Sequence, residues 1–193
     1  MLEKKEKRAI ISFYHPKGNS LSKKNLMQLA AEINQAAEDE TIKVIILKSQ
    51  GDKAFCGGAS FEELRSVKTS DEAKDFFMGF AILLSAIRRC PKFIIARVQG
   101  KAVGGGVGLI AACDYALAHQ SASIKLAELE IGIGPFVIAS AVEKKIGKGA
   151  FSFLTIDTQW RDAAWCKLHS LYAEVYPTTE ELDSGIEKLA ERL

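Results

Sequence analysis

Apolar residues follow a pattern along the chain that predicts short strands separated by helices. Continuous apolar runs of strand length occur at three places, residues 8–14, 43–48 and 93–98. In residues 22–38 the apolar side chains of Leu26, Leu29 and Ile33 recur at helical spacing, which predicts an amphipathic helix. Because strands and helices alternate in this way along the whole chain, the pattern predicts an α/β fold with a largely parallel sheet.

A second helix is predicted over about residues 71–90. Residues 69–72 read Thr-Ser-Asp-Glu, the pattern of a capping box, and Pro91 would end the helix. Phe76 and Phe80 lie at helical spacing within it. We interpret these aromatic residues as core rather than as a stripe that contacts a ligand.

The stretch that joins the strand 93–98 to the next predicted helix contains three consecutive glycines, Gly104 to Gly106. From Val107 onward the sequence is apolar and predicts a buried helix. Glycines at such a junction let the backbone turn sharply, and they let a ligand atom approach the N–H groups at the positive end of the helix. This junction is therefore a candidate site for an oxyanion.

A second glycine-rich junction, Gly57-Gly58-Ala59, follows another strand-like segment. If both junctions turned N–H groups toward one carbonyl oxygen, the two donors would form an oxyanion hole, which stabilises an enolate of a thioester. Each donor of this kind contributes about 3 kcal/mol to a developing negative charge. At this point the alternative stays open that both junctions are ordinary turns.

Later in the chain, residues 115–118 and 123–126 predict two short strands, and residues 128–135 predict a loop with glycine and proline. Phe136 begins another apolar helix, and residues 178–181 have the pattern of a capping box before a last helix.

Glu128 lies among apolar neighbours, which should raise the pKa of its carboxyl group and suit it to act as a base. Glu130 is the alternative, because the direction in which the loop faces cannot be read from periodicity.

Composition narrows the class of protein. The chain has 193 residues, and its 26 Lys and Arg against 24 Asp and Glu give a formal net charge of +2, which does not indicate a nucleic-acid partner. The four cysteines are widely separated and have no nearby histidine at metal-ligand spacing, so we expect reduced thiols and no metal. Because no stretch suits a secretory signal or a membrane span, we expect a soluble, cytoplasmic protein.

A dinucleotide-binding domain also begins with a strand, glycines and a helix. The sequence Gly104-Gly105-Gly106-Val107-Gly108-Leu109 fails the G-x-G-x-x-G spacing, because Leu109 stands where the last glycine belongs. This alternative is therefore weak.

Three segments together resemble the crotonase family, the enoyl-CoA hydratase/isomerase superfamily. They are residues 53–64 (KAFCGGASFEEL), residues 99–106 (QGKAVGGG) with Cys113-Asp114 after them, and residues 128–135 (ELEIGIGP). The resemblance implies a crotonase-like spiral of repeated ββα units and an acyl-CoA thioester substrate. Coenzyme A would be part of that substrate, and no separate cofactor is implied.

The same resemblance implies roles for particular residues. The N–H groups of Ala59 and Gly105 would hold the thioester oxygen, and Glu128 would transfer the proton. The residues expected to bind the substrate are Lys17, Phe55, Cys56, Gly57, Gly58, Ser60, Gly104, Gly108 and Phe136.

Gly108 departs from the family pattern, because many hydratases of the family have a second glutamate there. A single carboxylate can remove a proton at one carbon and return it at another, which favours isomerisation of 3-enoyl-CoA to 2-enoyl-CoA. The sequence Gly-Pro-Phe at 134–136 is a weaker indication of the isomerase branch. The alternatives are an enoyl-CoA hydratase of fatty-acid or branched-chain acyl-CoA breakdown, and a non-catalytic subunit that binds acyl-CoA.

Two further departures concern Ser60 and the C-terminus. Ser60 stands where the family commonly has Asp, and we expect no catalytic role for it, because no histidine lies in a triad motif. The sequence stops at Leu193, before the helices that cap the acyl pocket and build the trimer in this family. We therefore expect one core domain over residues 1–193, with the C-terminal helical part absent or truncated. If that part is present, a homotrimer or a dimer of trimers is expected.

Overall fold

The computed structural model describes all 193 residues, and strands and helices alternate along them. The strands are β1 (Leu2–Lys5), β2 (Arg8–Phe13), β3 (Val44–Ser49), β4 (Ala54–Cys56), β5 (Phe93–Val98), β6 (Lys101–Val103), β7 (Tyr115–His119), β8 (Ser123–Lys125), β9 (Arg161–Asp162) and β10 (Glu174–Tyr176). The α-helices are α1 (Lys23–Glu38), α2 (Phe61–Ser66), α3 (Ser70–Arg89), α4 (Gly105–Ala112), α5 (Phe136–Ile146), α6 (Lys148–Ile156), α7 (Ala163–Leu168) and α8 (Thr179–Arg192). A 3-10 turn occupies Glu128–Ile131.

The larger sheet has six strands in the order β1-β2-β3-β5-β7-β10. Only β1 is antiparallel to its neighbour, so the prediction of a largely parallel sheet is confirmed. Both faces of β3 are covered, because Ile45 and Leu47 pack in the main core while Val44 and Ile46 pack under α8. This explains the continuous apolar run in the sequence, since strands of a parallel sheet are buried on both sides.

A second sheet of four short strands has the order β4-β6-β8-β9. The two sheets are built by a repeat: β3, β5 and β7 each enter the larger sheet, the strand that follows each of them enters the smaller sheet, and a helix comes next. The spiral of ββα units implied by the resemblance is therefore confirmed. This repeat brings the ends of β4 and β6, which lead into the two glycine junctions, side by side.

The predicted helix starts are confirmed in most details. Ser22 caps α1 by accepting the Asn25 N–H, and Thr69 and Glu72 form both hydrogen bonds of the predicted capping box at α3. At α8 the predicted box is only half formed. Thr178 accepts the Glu181 N–H, but no return bond from the Glu181 side chain is made.

Several short elements were not predicted. The strands β4 and β6 have three residues each, and the predicted loop 128–135 contains the 3-10 turn. Segments this short have no measurable periodicity, so pairing with neighbouring segments decides them. All four cysteines are free, and three of them are buried. No helix has the length and apolar character that crossing a membrane requires.

Candidate active site

The two glycine junctions lie against each other. Gly58 has a φ of +83°, a conformation that favours glycine. A Cβ at position 58 would lie 2.7 Å from the carbonyl oxygen of Val103 and 3.5 Å from the nitrogen of Gly105. Any side chain at position 58 would thus force the junctions apart, and the glycine allows the Gly57–Ala59 segment to reach the start of α4.

Each junction offers an N–H group that forms no hydrogen bond within the protein. Two backbone hydrogen bonds join Leu21 to the second junction. The Leu21 N–H donates to the carbonyl oxygen of Gly58 at 2.8 Å, and the Ser60 N–H donates to the carbonyl oxygen of Leu21 at 2.9 Å. The intervening Ala59 N–H has no partner. The Gly105 N–H is also unpaired, because Gly105 is the first residue of α4 and the first N–H groups of a helix have no acceptor within it.

Ala59 and Gly105 border the same cavity, which has a volume of about 240 Å³. Most of its wall is apolar and comes from α2, α3, α5, the 3-10 turn and the segment between that turn and α5. The larger apolar residues that these elements contribute are Phe61, Leu64, Phe76, Phe77, Phe80, Ile131, Ile133, Val137 and Ile138. A cavity of this character fits a hydrocarbon group attached to a polar, oxygen-bearing head at the two amides.

Phe80 fixes one side of the α4 junction. A Cβ at position 105 would lie 2.6 Å from Cζ of Phe80, so the aromatic ring occupies the space that a side chain would need. Phe76 and Phe80 are both buried, as expected for core residues, yet both also line the cavity. The interpretation of these two residues as core is therefore confirmed, and the same side chains also border the cavity.

Glu128 lies at the first position of the 3-10 turn and points to the Gly104 junction. Its Oε1 would be 2.9 Å from a Cβ at position 104, where the φ of +51° again favours glycine. Its Oε2 is buried and has no hydrogen-bond partner. Burial raises the pKa of this carboxyl group, because an ion loses its hydration in the cavity wall.

Glu130 also lines the cavity, but its carboxylate is engaged elsewhere. Its Oε1 lies 2.8 Å from Nζ of Lys125 and accepts a hydrogen bond from Thr158 Oγ1 at 2.7 Å. These contacts lower the pKa of Glu130. A carboxylate that is stabilised in its charged form in this way is a weaker base than Glu128.

Not all the residues expected at the site line the cavity. Gly57, Gly58 and Gly104 do, together with Ala59, Gly105 and Glu128. Of the others, Lys17 forms an exposed ion pair with Glu62, and Ser60 caps α2 by accepting the Glu63 N–H at 3.4 Å.

Phe55 and Cys56 are fully buried in the core beneath the second junction. Phe136 is 83% exposed and lies outside the cavity wall. For these residues and for Lys17 and Ser60, binding of a substrate stays a prediction.

Gly108 lies inside the core rather than on the cavity wall. A Cβ at this position would be 2.7 Å from the Cβ of Ile138 in α5. Ile138 thus fills the space that any side chain at position 108 would need. Sequence reasoning missed Ile138, because its place in an apolar helix gives no sign of what it contacts.

The fold and the site together define a class of protein: an α/β spiral in which two unpaired amides and one partly buried carboxylate surround a largely apolar cavity. The family model described as enoyl-CoA hydratase/isomerase matches residues 3–193, and the chain belongs to this family.

Individual relatives agree with this assignment. Crotonyl-CoA hydratase from Syntrophomonas wolfei is 29% identical over 100% of this chain and 74% of its own length. The mitochondrial methylglutaconyl-CoA hydratase of Homo sapiens is 29% identical over 88% of this chain and 50% of its own length. The crystal structure of enoyl-CoA hydratase from Bacillus anthracis superimposes with a TM-score of 0.92 at 27% identity, covering 100% of this chain and 75% of that one. Among the curated relatives, the matched region spans from 49% to 74% of their own length.

Proposed function

We propose that this protein transfers a proton within the acyl group of a coenzyme A thioester, and that its reaction is the isomerisation of 3-enoyl-CoA to 2-enoyl-CoA. The observation that carries the proposal is the position of Glu128. Its carboxylate is partly buried, its Oε2 has no hydrogen-bond partner, and it lies against Gly104. The unpaired N–H groups of Gly105 and Ala59 border the same cavity.

The reaction follows from these groups. The thioester oxygen accepts hydrogen bonds from the N–H groups of Ala59 and Gly105, which stabilise the negative charge that develops on it. Glu128 removes a proton from C2, and the electron pair is delocalised over the thioester and the C3–C4 double bond. The protonated Glu128 then returns the proton at C4, so that the double bond moves to C2–C3 and the carboxylate is regenerated.

Isomerisation is favoured over hydration because the site has one suitable carboxylate. Hydration needs a water molecule held at C3 while a proton is delivered to C2, a task that two carboxylates perform more readily than one. Ile138 fills the space beside Gly108, so a second carboxylate at this position has no room. The engagement of Glu130 with Lys125 and Thr158 makes it a poor substitute.

Hydration of a 2-enoyl-CoA is the second candidate. The names of the relatives favour it, since the proteins from Syntrophomonas wolfei and Homo sapiens are both called hydratases. The two reactions are distinguished by supplying 3-enoyl-CoA and 2-enoyl-CoA separately and identifying the products. A 3-hydroxyacyl-CoA formed from 2-enoyl-CoA at a rate matching or exceeding isomerisation would overturn the isomerase proposal. Binding of both thioesters without turnover would instead support a non-catalytic subunit.

A pair of variants tests the role of Ile138 in this choice. Gly108→Glu alone should destabilise the fold, because overpacking a core typically costs about 1–3 kcal/mol or more. Gly108→Glu combined with Ile138→Gly provides space for the new carboxylate, and we expect it to gain hydration of 2-enoyl-CoA. The single variant Ile138→Gly is the matched control, and hydration that appears in the control alone would contradict the explanation.

A further inference from the structure

The few polar side chains that the fold buries are concentrated around the segment that carries Ala59. Five polar or charged residues are buried: Arg8, Asn19, Ser49, Ser60 and Gln99. Three of them donate hydrogen bonds to one acceptor, the carbonyl oxygen of Ala54 at the start of β4, and a fourth, Ser60, directly follows Ala59. Burying polar groups is costly unless they are paired, so such a cluster specifies the geometry of what it holds.

Asn19 is one centre of this cluster. Its Nδ2 donates at 2.8 Å to the carbonyl oxygen of Gln50 and at 2.8 Å to that of Ala54, while its Oδ1 accepts the His15 N–H at 2.9 Å. It adopts a φ of +56°, which asparagine tolerates better than most residues. Both hydrogen bonds that this amide donates thus go to the residue 50–54 loop, which leads to the second glycine junction.

Gln99 also forms hydrogen bonds with the residue 50–54 loop. Its Nε2 donates to Ser49 Oγ at 2.8 Å and to the carbonyl oxygens of Gly51 and Ala54 at 3.0 Å and 3.1 Å. Its Oε1 is buried and has no partner, so only the N–H groups tie this amide to the protein. Gln99 directly follows β5 and precedes β6, which leads to the Gly104–Gly106 junction.

The backbone next to Asn19 holds the remainder of the segment. The Gly57 N–H donates to the carbonyl oxygen of Gly18 at 2.9 Å, and Leu21 forms the two-bond bridge that leaves the Ala59 N–H unpaired. The entry to the junction is therefore held by the Asn19 side chain, and its exit by the main chain on both sides of Asn19.

We propose that Asn19 and Gln99 are positioning residues for the oxyanion hole, which hold the residue 50–60 segment so that the Ala59 N–H faces the thioester oxygen. The catalytic effect of this proposal rests on the proposed function, whereas the positioning itself does not. Neither side chain touches the cavity, so neither is a catalytic residue. Because an amide in an oxyanion hole acts through its geometry, a small displacement lowers the rate more than the affinity.

Two nearly isosteric substitutions test the proposal. In Asn19→Asp and Gln99→Glu, a carboxylate oxygen replaces the donating nitrogen and faces carbonyl oxygens instead of donating to them. We expect kcat with 3-enoyl-CoA to fall by about 10- to 100-fold while KM stays within a factor of a few. The acidic limb of the pH profile should not move, because Glu128 is untouched. Asn34→Asp and Gln35→Glu, on the exposed face of α1, are the matched controls and should retain the wild-type rate.

Amide hydrogen exchange provides a readout that does not require turnover. We expect peptides covering residues 50–60 to exchange faster in Asn19→Asp than in the wild type, with no change in Asn34→Asp. Asn19→Gly, which keeps the positive φ and removes the donor without adding a charge, should give the same result if the Asp variant does not fold. Unchanged exchange of residues 50–60 would overturn the proposal. If the wild-type protein turns over, an unchanged kcat in both Asn19→Asp and Gln99→Glu would also overturn it. A wild-type protein without any turnover would instead refute the proposed function and leave the exchange experiment to decide the positioning.

Discussion

The two carboxylates of the 3-10 turn Glu128–Ile131 face different surroundings, although they lie on the same turn and both border the cavity. On the inner side, Glu128 contacts the Gly104 junction, and its Oε2 is buried without a partner. On the outer side, Glu130 is paired with Lys125 and accepts a hydrogen bond from Thr158.

This difference shows how one turn can provide a base and a structural anion from the same residue type. Burial raises the pKa of Glu128, and the partners of Glu130 lower the pKa of that group. A proton shuttle must exchange its proton readily near the working pH, so a group with a raised pKa and no charged partner is the better candidate. The contacts of Glu130 attach the turn to β8 and to the segment after α6.

The largest effect is expected from removing the inner carboxylate. Glu128→Gln keeps the size of the side chain but cannot accept the substrate proton, so kcat should fall by about 10²–10⁴-fold, the usual contribution of a general base. The affinity for a non-reacting acyl-CoA should change by no more than a factor of a few. Steady-state kinetics and calorimetric binding measure the two quantities, and a variant with near-wild-type kcat would move the base to another residue.

The second prediction concerns pH. Because the ionised form of Glu128 removes the proton, kcat/KM should fall by about tenfold per pH unit below the pKa of this group. Burial raises that pKa, so the acidic limb should lie at a higher pH than an ordinary glutamate would give. The pH profile of kcat/KM for 3-enoyl-CoA measures the limb. A limb at or below the ordinary glutamate value would contradict the role of burial.

A smaller effect is expected on stability. The pKa of Glu128 is higher in the folded than in the unfolded state, so its protonated form stabilises the fold at low pH, and this contribution is lost as the pH rises through the folded-state pKa. The glutamine side chain in Glu128→Gln does not ionise, so this variant does not lose stability in this way. The Tm of this variant should therefore rise relative to that of the wild type as the pH increases. Thermal unfolding monitored by circular dichroism at acidic and neutral pH tests this, and a constant difference in Tm would contradict it.

The smallest effect is expected from the outer carboxylate. Glu130→Gln removes an ion pair at the protein surface, where such pairs contribute little. We expect kcat within a factor of a few of the wild type and an unchanged acidic limb, measured as for Glu128→Gln. A loss of turnover comparable to that of Glu128→Gln would reverse the assignment of the two residues.

The sequence pattern predicted the elements that depend on local information. The long helix α3 begins at the predicted cap, because the Thr69 side chain satisfies an N–H group only three positions away. The helix α1 was predicted from its periodicity, and Ser22 caps it in the same way. The apolar run of β3 was equally clear. The short strands β4 and β6 were missed because their pairing partners, and not their own residues, make them strands.

The site was predictable to the extent that it depends on glycine. The positive φ at Gly58 and Gly104 and the close approach to Val103 need residues without a Cβ, and the two runs of glycine indicated this. The wall of the cavity could not be predicted in the same way. Ile138 and Phe61 come from segments distant in sequence, and nothing in their own surroundings indicates that they face a cavity.

The sequence by itself determined where the backbone could turn, which runs would be buried and that Glu128 and Glu130 were the two candidate bases, because torsional freedom, periodicity and the character of adjacent residues are local properties. Only the tertiary structure decided that the two junctions lie in contact, that Glu128 and not Glu130 loses its solvent, and that Ile138 excludes a side chain at position 108. These three outcomes depend on the packing of segments remote from one another, and burial and electrostatic pairing are created only when those segments meet.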